Sequence, residues 1–145
     1  MDVIRGRAEN GEVEQRTSTF TGTVHGDPLL KTDGVVMNTV YFAPGGRTYW
    51  HSHEGGQMLH VATGEGWVAP REGDAARVRA GDVVWAPPGE EHWHGAGEHT
   101  LLVHTAVSLG TTQWLEEVSP EDYAAVHAQL HAHDDEAGAT GPAGK

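Results

Sequence analysis

An all-β fold is predicted for this 145-residue chain by two observations: Gly and Pro recur every few residues between Gly22 and Gly110, and the stretches between them are short and rich in Val, Thr, Trp and Tyr. That spacing suits many short strands joined by turns. The length allows one domain, and a strand-rich chain of this size must close into a barrel or stack two sheets to bury its apolar faces. The first fourteen residues read as a flexible segment, with the barrel expected over residues 15–118. Strands are expected at 19–24, at 34–42, at 47–53 after the turn at Gly45 and Gly46, and at 57–63 and 65–70 on either side of Gly64. Further strands are expected at 77–78, 82–86, 92–94 and 100–108. Ser119-Pro120-Glu121-Asp122 reads as a helix start, with a capping hydroxyl, Pro at the first helical position and two acids at the positive end of the dipole. A helix over 119–133 should follow, and residues 134–145, acidic and then Gly/Ala-rich, are expected to be a disordered tail.

The composition excludes several classes of function. Twenty-one carboxylates against nine Lys plus Arg, a formal net charge of −12, repel phosphate backbones and anionic membranes, so neither nucleic acid nor membrane is an expected partner. No apolar run reaches the roughly 18 residues of a membrane span, and the first ten residues lack the apolar core of a secretory signal, so a cytoplasmic protein is expected. The absence of Cys removes disulfides, thiol nucleophiles and thiolate-bound metals. Any metal must be held by nitrogen or oxygen, and eleven histidines are available.

Residues two apart on a strand face the same side, so His51 and His53 place two imidazoles on one wall. Glu54-Gly55-Gly56 should turn the chain and let Gln57 open the next strand beside them, offering its amide oxygen. A second stretch from Gly81 to His94 repeats the design of strand, tight turn and histidine, and delivers His92 as a fourth ligand. Three neutral imidazoles and one neutral amide leave the charge of a divalent metal uncompensated, which favours an anion or alkoxide in the open positions. Such donors suit manganese, iron, nickel, copper or zinc. His94 shares its parity with His92 and should face the interior, either as a general acid/base or as a hydrogen-bonding partner behind the site. His60 has the opposite parity to Gln57 and should face away. His127 and His131 share a helical face that reads as packed or solvated, and Trp50 and Trp93 alternate with the ligands and should point outward against a second sheet or a partner subunit. Assembly as a homo-oligomer, a dimer or tetramer, is therefore expected.

The segments Gly45-x5-His51-x-His53-x3-Gln57-x6-Gly64 and Gly81-x5-Pro87-x-Gly89-x2-His92 resemble the two motifs of the cupin superfamily. This implies a jelly-roll-like β-barrel. In the common cupin pattern the third ligand is a glutamate, and here it is Gln57; Ala96 stands where an asparagine often closes the second motif. Phe20 to Val24, Asp27-Pro28-Leu29, Gly46-Arg47-Thr48-x-Trp50-His51, Gly81 to Trp85, Glu91 to Ala96 and Trp114-Leu115-Glu116-x-Val118 resemble the small bacterial cupins with hydroxynitrile lyase activity. That resemblance implies one divalent transition metal per subunit, manganese first, held by three histidines and a glutamine. It further implies cleavage of a small oxygenated substrate, a cyanohydrin to a carbonyl compound plus cyanide. It places His104 at the pocket as a substrate contact or base, and makes Asn38, Val40, Thr48 and Ser108 candidate substrate contacts. The alternatives are a metal-dependent cupin dioxygenase and a non-catalytic small-molecule-binding cupin.

Overall fold

The computed structural model describes residues 1–5 and 12–128. Twelve strands occur among them: β1 (Glu14–Gln15), β2 (Phe20–Thr21), β3 (Val24–Thr32), β4 (Val35–Phe42), β5 (Arg47–Thr48), β6 (His51–His53), β7 (Gln57–Pro70), β8 (Ala76–Arg79), β9 (Val83–Ala86), β10 (His92–Ala96), β11 (Leu102–Leu109) and β12 (Thr112–Trp114). A helix, α1, is described over 120–128, where Ser119 Oγ accepts the amide of Asp122 at 3.0 Å as the expected cap. The helical residues expected at 129–133, the tail at 134–145 and residues 6–11 of the leading segment lie outside the described residues. No helix among the described residues is long and apolar enough to cross a membrane.

All pairings are antiparallel, as expected for a barrel built from short connections. One sheet runs β1, β3, β4, β11, the first half of β7, then β9. The other joins β8, the second half of β7 and β10, and then β5 with β2 and β6 with β12. The sheets curl over a shared apolar core of Val24, Val40, Phe42, Val61, Val78, Ala96 and Leu102, all buried.

β7 belongs to both sheets and replaces the two strands expected around Gly64. The strand continues because Gly64 takes φ +84°, bending the chain from one sheet to the other without ending its pairing. A Cβ there would lie 2.0 Å from the Leu101 carbonyl oxygen. Gly64→Ala combines that clash with a left-handed backbone and should cost more than about 3 kcal/mol, read as a fall in the denaturant midpoint.

Three other departures have local causes. The strand expected at 47–53 is two, β5 and β6, because Tyr49 and Trp50 direct their amides to Thr19 and Glu116 instead of β10. β3 was obscured in sequence by Asp27-Pro28. Pro28 is tolerated because the register shifts between Pro28 and Leu30 and β1 has already ended along that edge. Trp50 and Trp93 do point outward, and the chain's own C-terminal segment covers them. Val118, Tyr123 and Val126 of the C-terminal segment pack over them with Trp67 and Ala69. Arg47 fastens this cover, its guanidinium 4.2 Å over the Tyr123 ring and donating to the Val118 carbonyl at 3.3 Å. The Tyr123 hydroxyl donates to the Ala96 carbonyl at 2.6 Å. β10, the strand that carries His92 and His94, is thus buried on both faces.

Candidate metal centre

Strand parity brings the four expected ligands to one end of the barrel. His51 and His53 lie on β6, and His51 stands directly opposite His92 in the β6–β10 pairing. One nitrogen from each of His51, His53 and His92 lies within 4.8 Å of the others. Gln57 opens β7, and its Oε1 is 3.1 Å from His92 Nε2. All four side chains are buried.

The far side of each imidazole determines what the near side presents. His51 Nδ1–H donates to the Tyr49 carbonyl at 2.8 Å and His92 Nδ1–H to the Glu90 carbonyl at 3.0 Å. Both carbonyls lie two residues upstream, the same device used twice. His53 Nδ1 is 3.0 Å from Thr112 Oγ1. With Nδ1 protonated, each Nε2 turns a lone pair inward, and that of His53 is buried with no partner. Gln57 Nε2 donates to Ser108 Oγ at 3.0 Å, which aims Oε1 at the same point. His92 Nε2 and Gln57 Oε1 are therefore two acceptors at 3.1 Å, an arrangement that calls for a cation between them.

The electrostatics agree. Burial pushes the proton affinity of His51 well below the usual histidine range, with nearby His92 adding to it. Burial, then His92, lowers His53 to about 4, and burial lowers His92 as well. Neutral imidazoles, an amide oxygen and an orphaned nitrogen fit a divalent transition metal, which needs deprotonated donors.

His94 and His104 form a second unit beside the ligands. His94 Nδ1 and His104 Nε2 are 2.9 Å apart, and both rings are buried. Burial first, then His104, lowers His94 well below its ordinary value, and burial pushes His104 down to about 4. The His94 ring centroid is 5.1 Å from that of His51, and its Nε2 is buried without a partner.

A cavity of about 220 Å³ adjoins the ligands, with His51, His53, Gln57 and His94 on its wall. Asn38, Val40, Thr48 and Ser108, the four candidate substrate contacts, also line it. His104 does not stand on that wall; it lies behind His94, hydrogen-bonded to it. His60 is exposed on the outer face, and His127 packs against Tyr123 with ring centroids 4.6 Å apart; His131 lies outside the described residues.

Sequence reasoning missed Thr112, which orients His53, and the aromatic wall made by Phe20 and Trp114. A fold of two curled antiparallel sheets with three histidines converging inside it defines a class of barrel protein suited to binding a metal ion. Within that class, the chain belongs to the cupin family. The family's cupin domain model matches residues 38–106. An (R)-mandelonitrile lyase from Granulicella tundricola is 46% identical over 112 residues, covering 72% of this chain and 85% of that protein. A cupin-like protein of known structure from Thermotoga maritima is 38% identical, with TM-score 0.74 over 82% of this chain and 97% of the other. A polyketide cyclase from Streptomyces resistomycificus shares the fold at 19% identity and TM-score 0.66, over 87% and 94% of the two chains.

Proposed function

We propose that the protein is a manganese-dependent lyase that splits a small neutral cyanohydrin into a carbonyl compound and hydrogen cyanide. The observation that carries this reading is the pairing of a neutral donor set with an unpartnered imidazole nitrogen, His94 Nε2, on one cavity wall free of Asp, Glu, Lys and Arg. The likeness to a mandelonitrile lyase, with 46% identity, supports the same reaction class.

Held by His51, His53, Gln57 and His92, a divalent manganese ion supplies Lewis acidity and an uncompensated positive charge for an oxygen or cyanide anion. The chain's own residues move the proton. His94 is neutral near pH 7 because burial lowers its proton affinity. When Nδ1–H donates to His104 Nε2, His94 Nε2 carries the lone pair that takes the substrate hydroxyl proton. The carbon–cyanide bond breaks with its electron pair on cyanide, the carbonyl forms, and the proton on His94 passes to cyanide. Thr48 Oγ1 accepts the His94 amide at 3.2 Å, leaving its hydroxyl hydrogen to donate into the cavity. Val40 and Ala106 supply apolar wall for the substrate's substituents.

The test is benzaldehyde release from racemic mandelonitrile by manganese-loaded protein without oxygen, at a pH where spontaneous decay is slow. Release proportional to manganese content is expected; none above the metal-free control would overturn the reading, and a need for oxygen would indicate an oxygenase. Gln57→Glu is a second check. A carboxylate compensates part of the metal charge, so metal retention against a chelator should rise at least about tenfold while cyanohydrin turnover falls about tenfold or more.

Assembly with a second copy is supported by the outer face of the β4–β11–β7–β9 sheet. Met37, Tyr41, Val103, Val107, Met58, Val83 and Trp85 face outward there, and no Asp, Glu, Lys or Arg occurs in residues 35–42, 57–63, 83–86 or 102–109, in a chain of net charge −12. Trp85 is 55% and Val83 61% exposed. Such a face suits an identical neighbour, because it is where two equally acidic copies meet with least repulsion. Sedimentation should give a dimer or larger for the natural chain, and a monomer for Trp85→Glu.

A further inference from the structure

The metal cavity shares part of its wall with a second space. The outer space, about 330 Å³, is walled by residues 14–20 together with Asn38, Val40 and Trp114. The inner cavity of about 220 Å³ shares four of those residues, Phe20, Asn38, Val40 and Trp114. They therefore stand at the boundary between the two.

We propose that Trp114, braced by Phe20, is a specificity-determining gate that admits an uncharged substrate bearing a flat ring in preference to a small aliphatic one. The choice of substrate rests on the lyase reading above. Trp114 stands opposite His51 in the β6–β12 pairing, so its indole lies against that imidazole with centroids 4.6 Å apart. The Phe20 ring is 5.7 Å away at 55°. In spite of both contacts Trp114 remains 40% exposed, and it lines both spaces. A third aromatic ring entering there completes the tilted stacking that such rings favour.

Phe20 is placed by a strained residue. Thr19 takes φ 62°, the one non-Gly residue with positive φ among those described, while its carbonyl accepts the Tyr49 amide at 2.8 Å. A β-branched residue adopts this backbone only where its surroundings impose it, and strain of this kind gathers at ligand sites. Here it turns the chain so that Phe20 pairs opposite Thr48 and reaches the inner cavity. Charge is distributed to match. The outer space includes Glu14 and Arg16, whereas no Asp, Glu, Lys or Arg lines the inner one. A charged substituent loses its solvation on passing the rings and meets no counter-charged side chain beyond them.

The test compares mandelonitrile with 2-hydroxypropanenitrile on the same manganese-loaded preparations of the natural chain, Trp114→Ala and Trp114→Phe. Taking the ratio of the two kcat/KM values cancels differences in metal content. The ratio should fall about tenfold in Trp114→Ala, through KM for mandelonitrile more than through kcat, and recover in Trp114→Phe. An unchanged ratio, or equal losses on both substrates, would overturn the gate. Benzaldehyde binding, followed by ligand-observed NMR, separates this inference from the reaction. If the natural chain binds benzaldehyde, turns over no cyanohydrin, and Trp114→Ala binds about tenfold more weakly, the gate stands and the lyase reading falls. If turnover proceeds and Trp114→Ala binds benzaldehyde as the natural chain does, the gate is wrong and the lyase reading stands.

Discussion

His92→Ala should retain less than a tenth of the natural chain's manganese and turn over mandelonitrile at least about a thousandfold more slowly. The size of the effect follows from how the donors are held. His92 supplies one of three inward lone pairs, and its Nε2 lies 3.1 Å from Gln57 Oε1. Removing it leaves two imidazoles and the weaker amide oxygen, and the Gln57 oxygen faces the gap alone. The Glu90 carbonyl also loses the ring it fixed. Metal analysis by mass spectrometry and turnover should fall together, because a protein that kept its metal but lost activity would point to a role in proton transfer instead. His60→Ala is the matching control. His60 lies on the same β-strand as Gln57 but is exposed on the opposite face, so neither metal content nor turnover should change. Full metal content in His92→Ala would remove this residue from the ligand set.

Much of the site's position is legible from the period of a strand alone. His51 with His53, and His92 with His94, share faces because residues two apart do, and Gln57 follows a turn whose glycines are plain in the sequence. The glycine-anchored motifs point to the family, and the family match carries the barrel with them. What parity does not give is depth. The strand around His104 is apolar on both faces and the family resemblance alone puts that residue at the pocket, but only the packing of β11 against β4 and β7 sets it behind His94 and off the cavity wall. Nor does local pattern reveal partners that meet through long loops. Thr112 reaches His53, and Trp114 reaches His51, across more than fifty residues of chain on a three-residue strand too short to register as periodic. The covering of Trp50 and Trp93 is a similar case. Alternation shows that they point outward, but the choice of cover depends on where α1 docks, which Arg47 and Tyr123 decide.

The same buried imidazoles should make the fold sensitive to mild acid. Burial lowers the proton affinity of His51, His53, His92, His94 and His104, and two of them, His53 and His104, come down to about 4. In the unfolded chain a histidine takes its proton near pH 6.5. Between those limits the unfolded state binds protons that the folded state refuses, so stability is fully present above about 6.5 and is lost as pH falls toward 4. For His104 alone, fully enclosed beside His94, the window is worth about 3 kcal/mol. That is a large share of the roughly 5–15 kcal/mol that holds a domain folded, and four further imidazoles act in the same direction. The melting temperature of metal-free protein should therefore be flat from pH 7.5 to 9 and fall by more than about 15 °C between pH 7.5 and 5. Manganese should move this fall to lower pH, since a metal bound to neutral donors must be displaced before they take protons. His104→Gln, which removes one titrating group while leaving an amide oxygen to accept from His94 Nδ1–H, should reduce the proton uptake of unfolding at pH 5.5 by about one. A melting temperature that stayed constant down to pH 5 would mean that these rings are solvated or already charged in the folded protein, and the neutral donor set could not stand.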